Sequence, residues 1–342
     1  MHFFLFITSI IYGLIVNIRN FFFDYGILKV QTHNVPIICI GNISMGGSGK
    51  TPHLNYIAKL LSQKYYPAII SRGYGRKSSG FHYVHLDSTT SLVGDEPLQL
   101  KINNPDCIVA VNNNRNYAVN RIIRDHAQIN LILLDDGFQH RSLKAGLNII
   151  LTPYYNLYSN DKLFPLGKLR EPATGADRAK IIIISKTPEQ TPSIQKKIIT
   201  KALNIKAYQS VYFSSIKYYK FRHLKNNSEL ENEEEYSITL VCGIQNPTPL
   251  IDYLKEKRRK INLIKFADHH NYTPKDIKNI LLEHKKDKST KKLILTTEKD
   301  ATKLRQILDK FYGIDVYYIP IEISINDKNM FKNSIIKYVT NY

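Results

Sequence analysis

The stretch from Gly41 to Pro52, GNISMGGSGKTP, constrains this chain more than any other. It follows the apolar run VPIICIGN and opens a helical pattern from Lys50 to about Lys64. Gly46, Gly47 and Gly49 let backbone N–H groups converge on phosphate oxygens at a helix N-terminus. Lys50 then reaches the β- and γ-phosphates, and the Thr51 hydroxyl is placed to ligate magnesium. Ser44, Met45 and Ser48 complete the nucleotide-binding loop. A strand, phosphate loop and helix in this order are the start of a P-loop α/β fold with a mostly parallel sheet. The loop is irregular all the same. Ser44 stands where the usual pattern has its first glycine, and Met45 stands where dimeric regulatory ATPases carry a signature lysine.

The rest of the chain continues the alternation. Further apolar runs are PAIIS near residue 70, CIVAV at 107–111, INLILLDD at 129–136, LNIILT at 147–152 and AKIIIIS at 179–185. Continuous β-branched runs mark strands buried on both faces, and helical patterns between them make βαβ units. From 213 to 236 the chain turns polar, with an acidic cluster from Glu229 to Glu235. That segment reads as a linker or hairpin. Beyond it SITLVCGI, INLIKFAD, KKLILTTEKD and VYYIPIEIS form the strands of a second, smaller α/β domain. The expected divisions are an N-terminal segment 1–30, a P-loop core 31–212, the linker 213–236 and a smaller domain 237–342.

Length of 342 residues suffices for two cores. The three cysteines show no paired metal spacing and suit a reducing compartment. Net charge of +19 suits an anionic membrane surface, a phosphorylated substrate or nucleic acid. A composition rich in Lys, Asn, Ile and Tyr also produces such a charge without any partner. The N-terminus is more specific. FFLFITSIIYGLIV is apolar over 14 residues, short of the roughly 20 a membrane span needs. It lacks a basic start and a small-residue cleavage site, which argues against a secretory signal. An interfacial helix fits, with Arg19 and Lys29 toward headgroups and the phenylalanines at the acyl boundary. A first helix packed on its own domain is the plain alternative.

Several strand ends carry chemistry. In LILLDDGFQH, Asp135 and Asp136 end an apolar strand roughly 85 residues after Lys50, where a P-loop enzyme holds its second magnesium contact. Adjacent strand residues point opposite ways, so one of the two is the direct ligand. Arg72 in SRGYG suits an anion or merely a turn. In GDEP, Asp95 and Glu96 open a helix; Asp95 is either a helix-end carboxylate or a base for an attacking hydroxyl. PLGKLREP frames Arg170 and Glu171 between prolines, as a phosphate clamp or as a surface ion pair. FADHHNY ends a strand with His269 and His270, best read as a histidine facing the cleft and paired with a carboxylate.

In order along the chain, GNISMGGSGKTP, SRGYG, GDEP, LDDGFQH, PLGKLREP, FADHH and TTEKDA resemble the motifs of the tetraacyldisaccharide 4′-kinase (lipid A kinase) family, over roughly residues 2 to 305. That family's loop is similar at both irregular positions, with Ser or Thr at the place of Ser44 and an apolar residue at that of Met45. The resemblance implies two α/β/α domains joined by a hairpin and closing around ATP and magnesium (Mg2+). It implies transfer of the γ-phosphoryl group to the 4′-hydroxyl of an anionic glycolipid, tetraacyldisaccharide 1-phosphate. The expected place is the cytoplasmic face of a Gram-negative inner membrane, peripheral or monotopic through the first helix. Carried over by motif, Lys50, Asp135 and Asp136 are catalytic, with Thr51 and the acid pair on the metal. Asp95 is the catalytic aspartate, working with His269. Glu96, Arg115, His140, Arg170 and Glu171 match substrate-binding positions. No nucleic acid and no obligate protein partner are implied.

Three rivals meet sequence-level objections. A regulatory NTPase calls for a lysine at residue 45. A GTPase calls for Asn-Lys-x-Asp, which neither ISKTPEQ nor TTEKDA supplies. A nucleic-acid-dependent ATPase rests on charge alone and predicts steep salt dependence.

Overall fold

The computed structural model describes residues 2–257 and 259–342. Met1, at the head of the expected interfacial segment, and Arg258 lie outside the described residues, as do the side chains of His2 and Phe3. The apolar runs become strands because both of their faces are covered: IICIG, LILLD and IIIIS are buried at every position. In chain order the first part comprises α1 (His2–Asp24), β1 (Ile37–Gly41), α2 (Lys50–Leu61), β2 (Pro67–Ser71), β3 (His82–Tyr83), α3 (Thr90–Val93), α4 (Asp95–Asn103), β4 (Ile108–Val111), α5 (Arg115–Asp125), β5 (Leu131–Asp135), β6 (Leu147–Pro153), β7 (Ile181–Ser185), α6 (Ser193–Ala202) and β8 (Ser210–Tyr218). The remainder comprises β9 (Arg222–His223), β10 (Ser237–Cys242), α7 (Thr248–Glu256), β11 (Ile261–Lys265), α8 (Pro274–Lys286), β12 (Lys292–Thr297), α9 (Glu298–Leu304), β13 (Val316–Ile319), β14 (Ile321–Ile325) and α10 (Lys328–Thr340).

Two sheets result. The larger has nine strands in the order β14-β8-β7-β6-β1-β5-β2-β4-β3, parallel except for its two edge strands. Apolar cores lie on both of its faces. The smaller has five strands, β11-β10-β12-β13-β9, parallel except where β9 meets β13. In such sheets ligands bind outside the carboxyl ends of the strands, at the point where strand order reverses. Here that point is flanked by β1, with β5 on one side and β6 on the other.

The C-terminal run VYYIPIEIS does not behave as one strand. Pro320 has no N–H and cannot continue a ladder, so the chain changes sheets at that residue. β13 pairs with β12 in the small sheet, whereas β14 runs antiparallel to β8 at the edge of the large one. The helix α10 follows β14 back and packs Phe331, Ile335 and Val339 into a core of the large sheet. Its Tyr338 hydroxyl accepts from the Ile37 N–H at 3.1 Å. Residues 321–342, expected with the smaller domain, therefore belong to the large sheet. The expected linker likewise begins later than residue 213, because β8 is a sheet strand to Tyr218. The chain thus crosses between the sheets twice, after β8 and after β13, and Tyr219 N–H donates to Pro320 O at 3.1 Å where the two crossings meet.

The first helix is 23 residues, about 35 Å long, and its composition is apolar enough to cross a membrane. One face is nevertheless attached to the protein. Ser9 Oγ donates to Leu163 O at 2.9 Å and Tyr12 OH to Arg170 O at 2.8 Å. Arg19 donates to Gln139 O, and Arg141 pairs with Asp24 at the helix end. The opposite face leaves Phe4, Ile7, Ile11, Leu14, Ile15 and Ile18 exposed.

Candidate active site

The phosphate loop runs from β1 into α2 as the sequence indicates, and its irregular first position has a local explanation. Ser44 forms an antiparallel bridge with Leu169, and its neighbours complete the pairing: Met45 N–H donates to Lys168 O and Arg170 N–H to Ile43 O, both at 2.7 Å. Its backbone stays out of the left-handed region, so no glycine is needed there. Positive φ falls instead at Gly46 (111°) and Gly49 (86°). The same pairing holds the PLGKLREP segment against the loop and positions Arg170.

A cleft of about 930 Å³ opens between the two sheets. On its phosphate side it is lined by Met45 through Thr51, Arg72, Arg115, Asp135, Asp136 and Arg170. Lys50 Nζ lies 3.6 Å from Asp136 Oδ2 and 3.5 Å from Asn42 Oδ1. Arg170 Nη1 donates to both Asp136 oxygens, at 3.0 and 3.2 Å. Asp136 is therefore a counter-ion between two cations. Its neighbour differs. Asp135 is buried at the end of β5, its Oδ2 accepting from Ser71 Oγ at 3.1 Å while its Oδ1 has no hydrogen-bond partner among the described residues. Burial, with Glu96 and Asp136 nearby, pushes its carboxyl up to about 7. An orphaned carboxylate oxygen under that pressure is suited to a divalent cation. Among the described residues no three or more His, Cys, Asp or Glu side chains form a cluster that could hold a metal.

Arg115 opens α5, buried, with Nη1 donating to Asn113 O at 2.9 Å and Nε unpartnered among the described residues. Burial lowers its pKa, and the neighbouring Arg72 adds to the effect. His140 is pushed down to about 4 by burial and by Arg115, Arg19 and Arg72, so at neutral pH it is uncharged. Three arginines facing one histidine make a site that favours an anion. Glu171 is set apart from this group: it does not line the cleft, is 2% exposed, and binds Arg178 at 2.7 Å and the cleft-lining Gln139 at 3.0 Å.

The second cluster joins the two sheets. Gly94, at φ 93°, caps α4 where a Cβ would sit only 3.1–3.3 Å from the backbone of Gly73 and Tyr74. That close approach sets Asp95, at the start of α4, beside the SRGYG turn. His269, on the loop after β11, reaches across so that its Nδ1 lies 3.0 and 3.2 Å from the two Asp95 oxygens. Lys303 Nζ is 3.0 Å from Asp95 Oδ2. Lys299 Nζ contacts Asp268 at 2.9 Å, His269 Nε2 at 3.1 Å and Glu96 at 3.7 Å. Burial would raise the Asp95 carboxyl, but the His269 hydrogen bond and the Lys303 and Lys299 ammoniums hold it well below the usual carboxylate range. Lys299 and Lys303 lie in the stretch TTEKDATK, whose strand-end polar pattern assigns them no role, although their i,i+4 spacing on α9 puts both on one helix face. Lys186 and Gln245, also on the cleft, each follow a strand end as Asp136 does, and that shared position was the available signal.

The family model described as LpxK, tetraacyldisaccharide-1-P 4'-kinase, matches residues 1–340. A tetraacyldisaccharide 4'-kinase of Bacteroides fragilis is 42% identical over 353 residues, covering 99% of this chain and 93% of the relative. One from Flavobacterium johnsoniae is 38% identical over 340 residues, covering 98% and 96%. Among solved structures, an LpxK from Aquifex aeolicus described as an "apo" form in complex with ATP is 26% identical, covers 99% of each chain and superposes with a TM-score of 0.77. With a phosphate loop, a paired acid and a cross-sheet Asp–His contact in one cleft, the chain belongs to the tetraacyldisaccharide-1-P 4'-kinase family.

Proposed function

We propose that the chain transfers the γ-phosphoryl group of ATP to the 4′-hydroxyl of tetraacyldisaccharide 1-phosphate. The observation that carries this reading is the cleft itself, where the phosphate loop and acid pair of one sheet face the Asp95–His269 pair that bridges to the other. Phosphoryl transfer demands positioning and charge neutralisation more than covalent chemistry. Gly46 to Gly49 present backbone N–H groups, while Lys50 and Arg170 supply cations beside the transferred group. Thr51 and Asp135, whose Oδ1 has no partner among the described residues, would hold magnesium; Asp136 anchors Lys50 and Arg170. Magnesium supplies neutralisation of the β- and γ-phosphate charge when bound. Asp95 and His269 orient the acceptor hydroxyl and receive its proton at an Asp95 oxygen. Arg72, Arg115 and neutral His140 form the wall that suits an anionic part of the substrate.

A membrane-surface location is supported by the acceptor, which is a lipid, and by α1, and the cytoplasmic side by the use of ATP as donor. That helix keeps one face on the Arg170 segment and leaves an apolar face free, the arrangement of an interfacial helix. Replacing Ile11 and Ile15 by Asn is expected to lower co-sedimentation with anionic vesicles about tenfold or more, because burial of each large apolar side chain contributes about 1.5–3 kcal/mol. Undiminished sedimentation would remove the surface role of α1. The reading as a whole is tested by incubating wild-type protein with γ-labelled ATP and tetraacyldisaccharide 1-phosphate in mixed micelles. Labelled bisphosphate lipid is expected. ATP hydrolysis without labelled lipid, where an established kinase of this family gives product, would overturn it.

A further inference from the structure

One contact on the phosphate loop has no part in the transfer chemistry above. Gly47 N–H donates to Oε1 of Gln245, which lies on the loop after β10 in the small sheet. The loop's own bonding explains why that N–H is available. Gly46 O is already taken, accepting from Ser48 N–H at 3.0 Å and from Asn42 Nδ2 at 3.4 Å. In a trans peptide the C=O and the N–H point opposite ways, so the Gly47 N–H is turned away from those partners and toward the cleft that Gly47 lines. Backbone N–H groups at this place in a phosphate loop are the donors that phosphate oxygens take.

The Gln245 amide rests directly on the glycines. A Cβ at Gly46 would lie 2.5 Å from both Oε1 and Nε2 of Gln245, and one at Gly47 would lie 3.2 Å from Oε1. The close approach that these glycines leave open to a ligand is therefore filled by a side chain of the protein itself.

Gln245 is delivered from a fixed base. Gly243 N–H donates at 2.9 Å to Asp300 Oδ2, which also accepts from Thr297 Oγ1 at 2.7 Å. On the other side Asn246 Oδ1 accepts from Thr248 N–H at 3.1 Å, at the start of α7. The turn is held at both ends, whereas Gln245 is exposed. Rotation of one side chain is enough to release Gly47. Among the described residues this is the one hydrogen bond from the small sheet to the phosphate loop.

The chemistry of the amide suits a contact that has to yield. Its oxygen satisfies the N–H but carries no charge. A phosphate oxygen makes a charge-assisted bond, roughly twice as strong as a neutral one.

We propose that Gln245 takes the seat of a phosphate oxygen in the empty loop and that the triphosphate displaces it on binding. The proposal rests on the reading of the loop as an ATP site. It adds that nucleotide entry breaks the small sheet's hydrogen bond to the loop, and that wild-type affinity is lowered by that competition. A net hydrogen bond contributes about 0.5–1.5 kcal/mol, or roughly two- to twelvefold in affinity.

Equilibrium binding of ATP and of inorganic tripolyphosphate, each with magnesium, is measured on full-length wild type, Gln245→Ala and Gln245→Met in the same detergent. Both substitutions remove the acceptor at an exposed position, and methionine keeps most of the bulk. Both variants are expected to bind both ligands about two- to tenfold more tightly. Weaker binding would overturn the proposal and make Gln245 a donor to bound phosphate. A gain below about twofold would overturn it as well. Tightening confined to Gln245→Ala would reduce the contact to bulk, and tightening confined to ATP would move the effect away from the phosphates; either result sinks the competition for Gly47. Gln245→Glu reads the opposite sign, since it keeps the acceptor and adds a negative charge beside the phosphate seat. Both ligands are expected to bind about tenfold or more weakly, and unchanged affinity would count against the proposal. If none of these proteins binds either ligand, the nucleotide reading itself falls, separately from the role of Gln245.

Discussion

Asp95→Asn is expected to lower kcat for lipid phosphorylation by about 10² to 10⁴, with KM for ATP little changed. The substitution keeps the shape and removes the charge that His269 and Lys303 meet at 3.0 Å. Two effects then need separating. Lys303 is 9% exposed and would lose its buried counter-ion, so stability falls as well. Rates are therefore compared below the mutant's unfolding temperature, at saturating lipid, with folding checked by circular dichroism. A folded Asp95→Asn protein with kcat within about tenfold of wild type would remove Asp95 from the chemistry. The low carboxyl pKa also bears on its role. A carboxylate held well below its usual range is a weak base and accepts a proton late, which suits a loose transition state that asks little of its base. Orientation of the hydroxyl is then the larger part of its contribution.

Lys50→Met should lower kcat by about 10² to 10³ while leaving KM for the lipid unchanged, because it removes a cation where charge develops in transfer. Stability should hardly move. Asp136 keeps its partner Arg170 at 3.0 Å, and the pair lost is a partly exposed one worth at most about 1 kcal/mol. Lys50→Arg is not expected to restore the rate, since a planar fork cannot replace a compact ammonium at the mouth of the loop. The measurement is steady-state kinetics with ATP and lipid varied separately. A change confined to KM for ATP would mean that Lys50 only binds nucleotide and does not stabilise the transition state.

The contrast between these two residues also shows what a linear reading can reach. Lys50 is legible because its signal is local: a β-branched run, a glycine turn and a helix start lie within about 25 residues. The same holds for Asp135 and Asp136 at the end of LILLDD and for most strands of both sheets, since a strand covered on two faces must be continuously apolar. Even the loop's missing glycine could be recognised from the sequence, though its cause could not. Only the bridge from Ser44 to Leu169 shows that residue 44 has an ordinary backbone and a paired neighbour.

What depends on contacts between distant segments was beyond that reach. Asp95 and His269 are 174 residues apart; the resemblance of their motifs to a known family paired them, whereas nothing local tells a helix-end carboxylate from one half of a dyad. Arg170 and Glu171 are adjacent in one motif, yet the first turns to Asp136 and the second to Arg178, because opposite faces of the segment meet different neighbours. The run VYYIPIEIS satisfied the local rules for a single strand; which sheet each half joins was decided by partners on β12 and β8. Local pattern is enough for most strands, the phosphate loop and the acids at strand ends, because periodicity and turn chemistry act over a few residues. The return of β14 and α10 to the large sheet and the lysines that surround Asp95 come from the packed fold, because burial and pairing are settled by whichever surfaces meet in space.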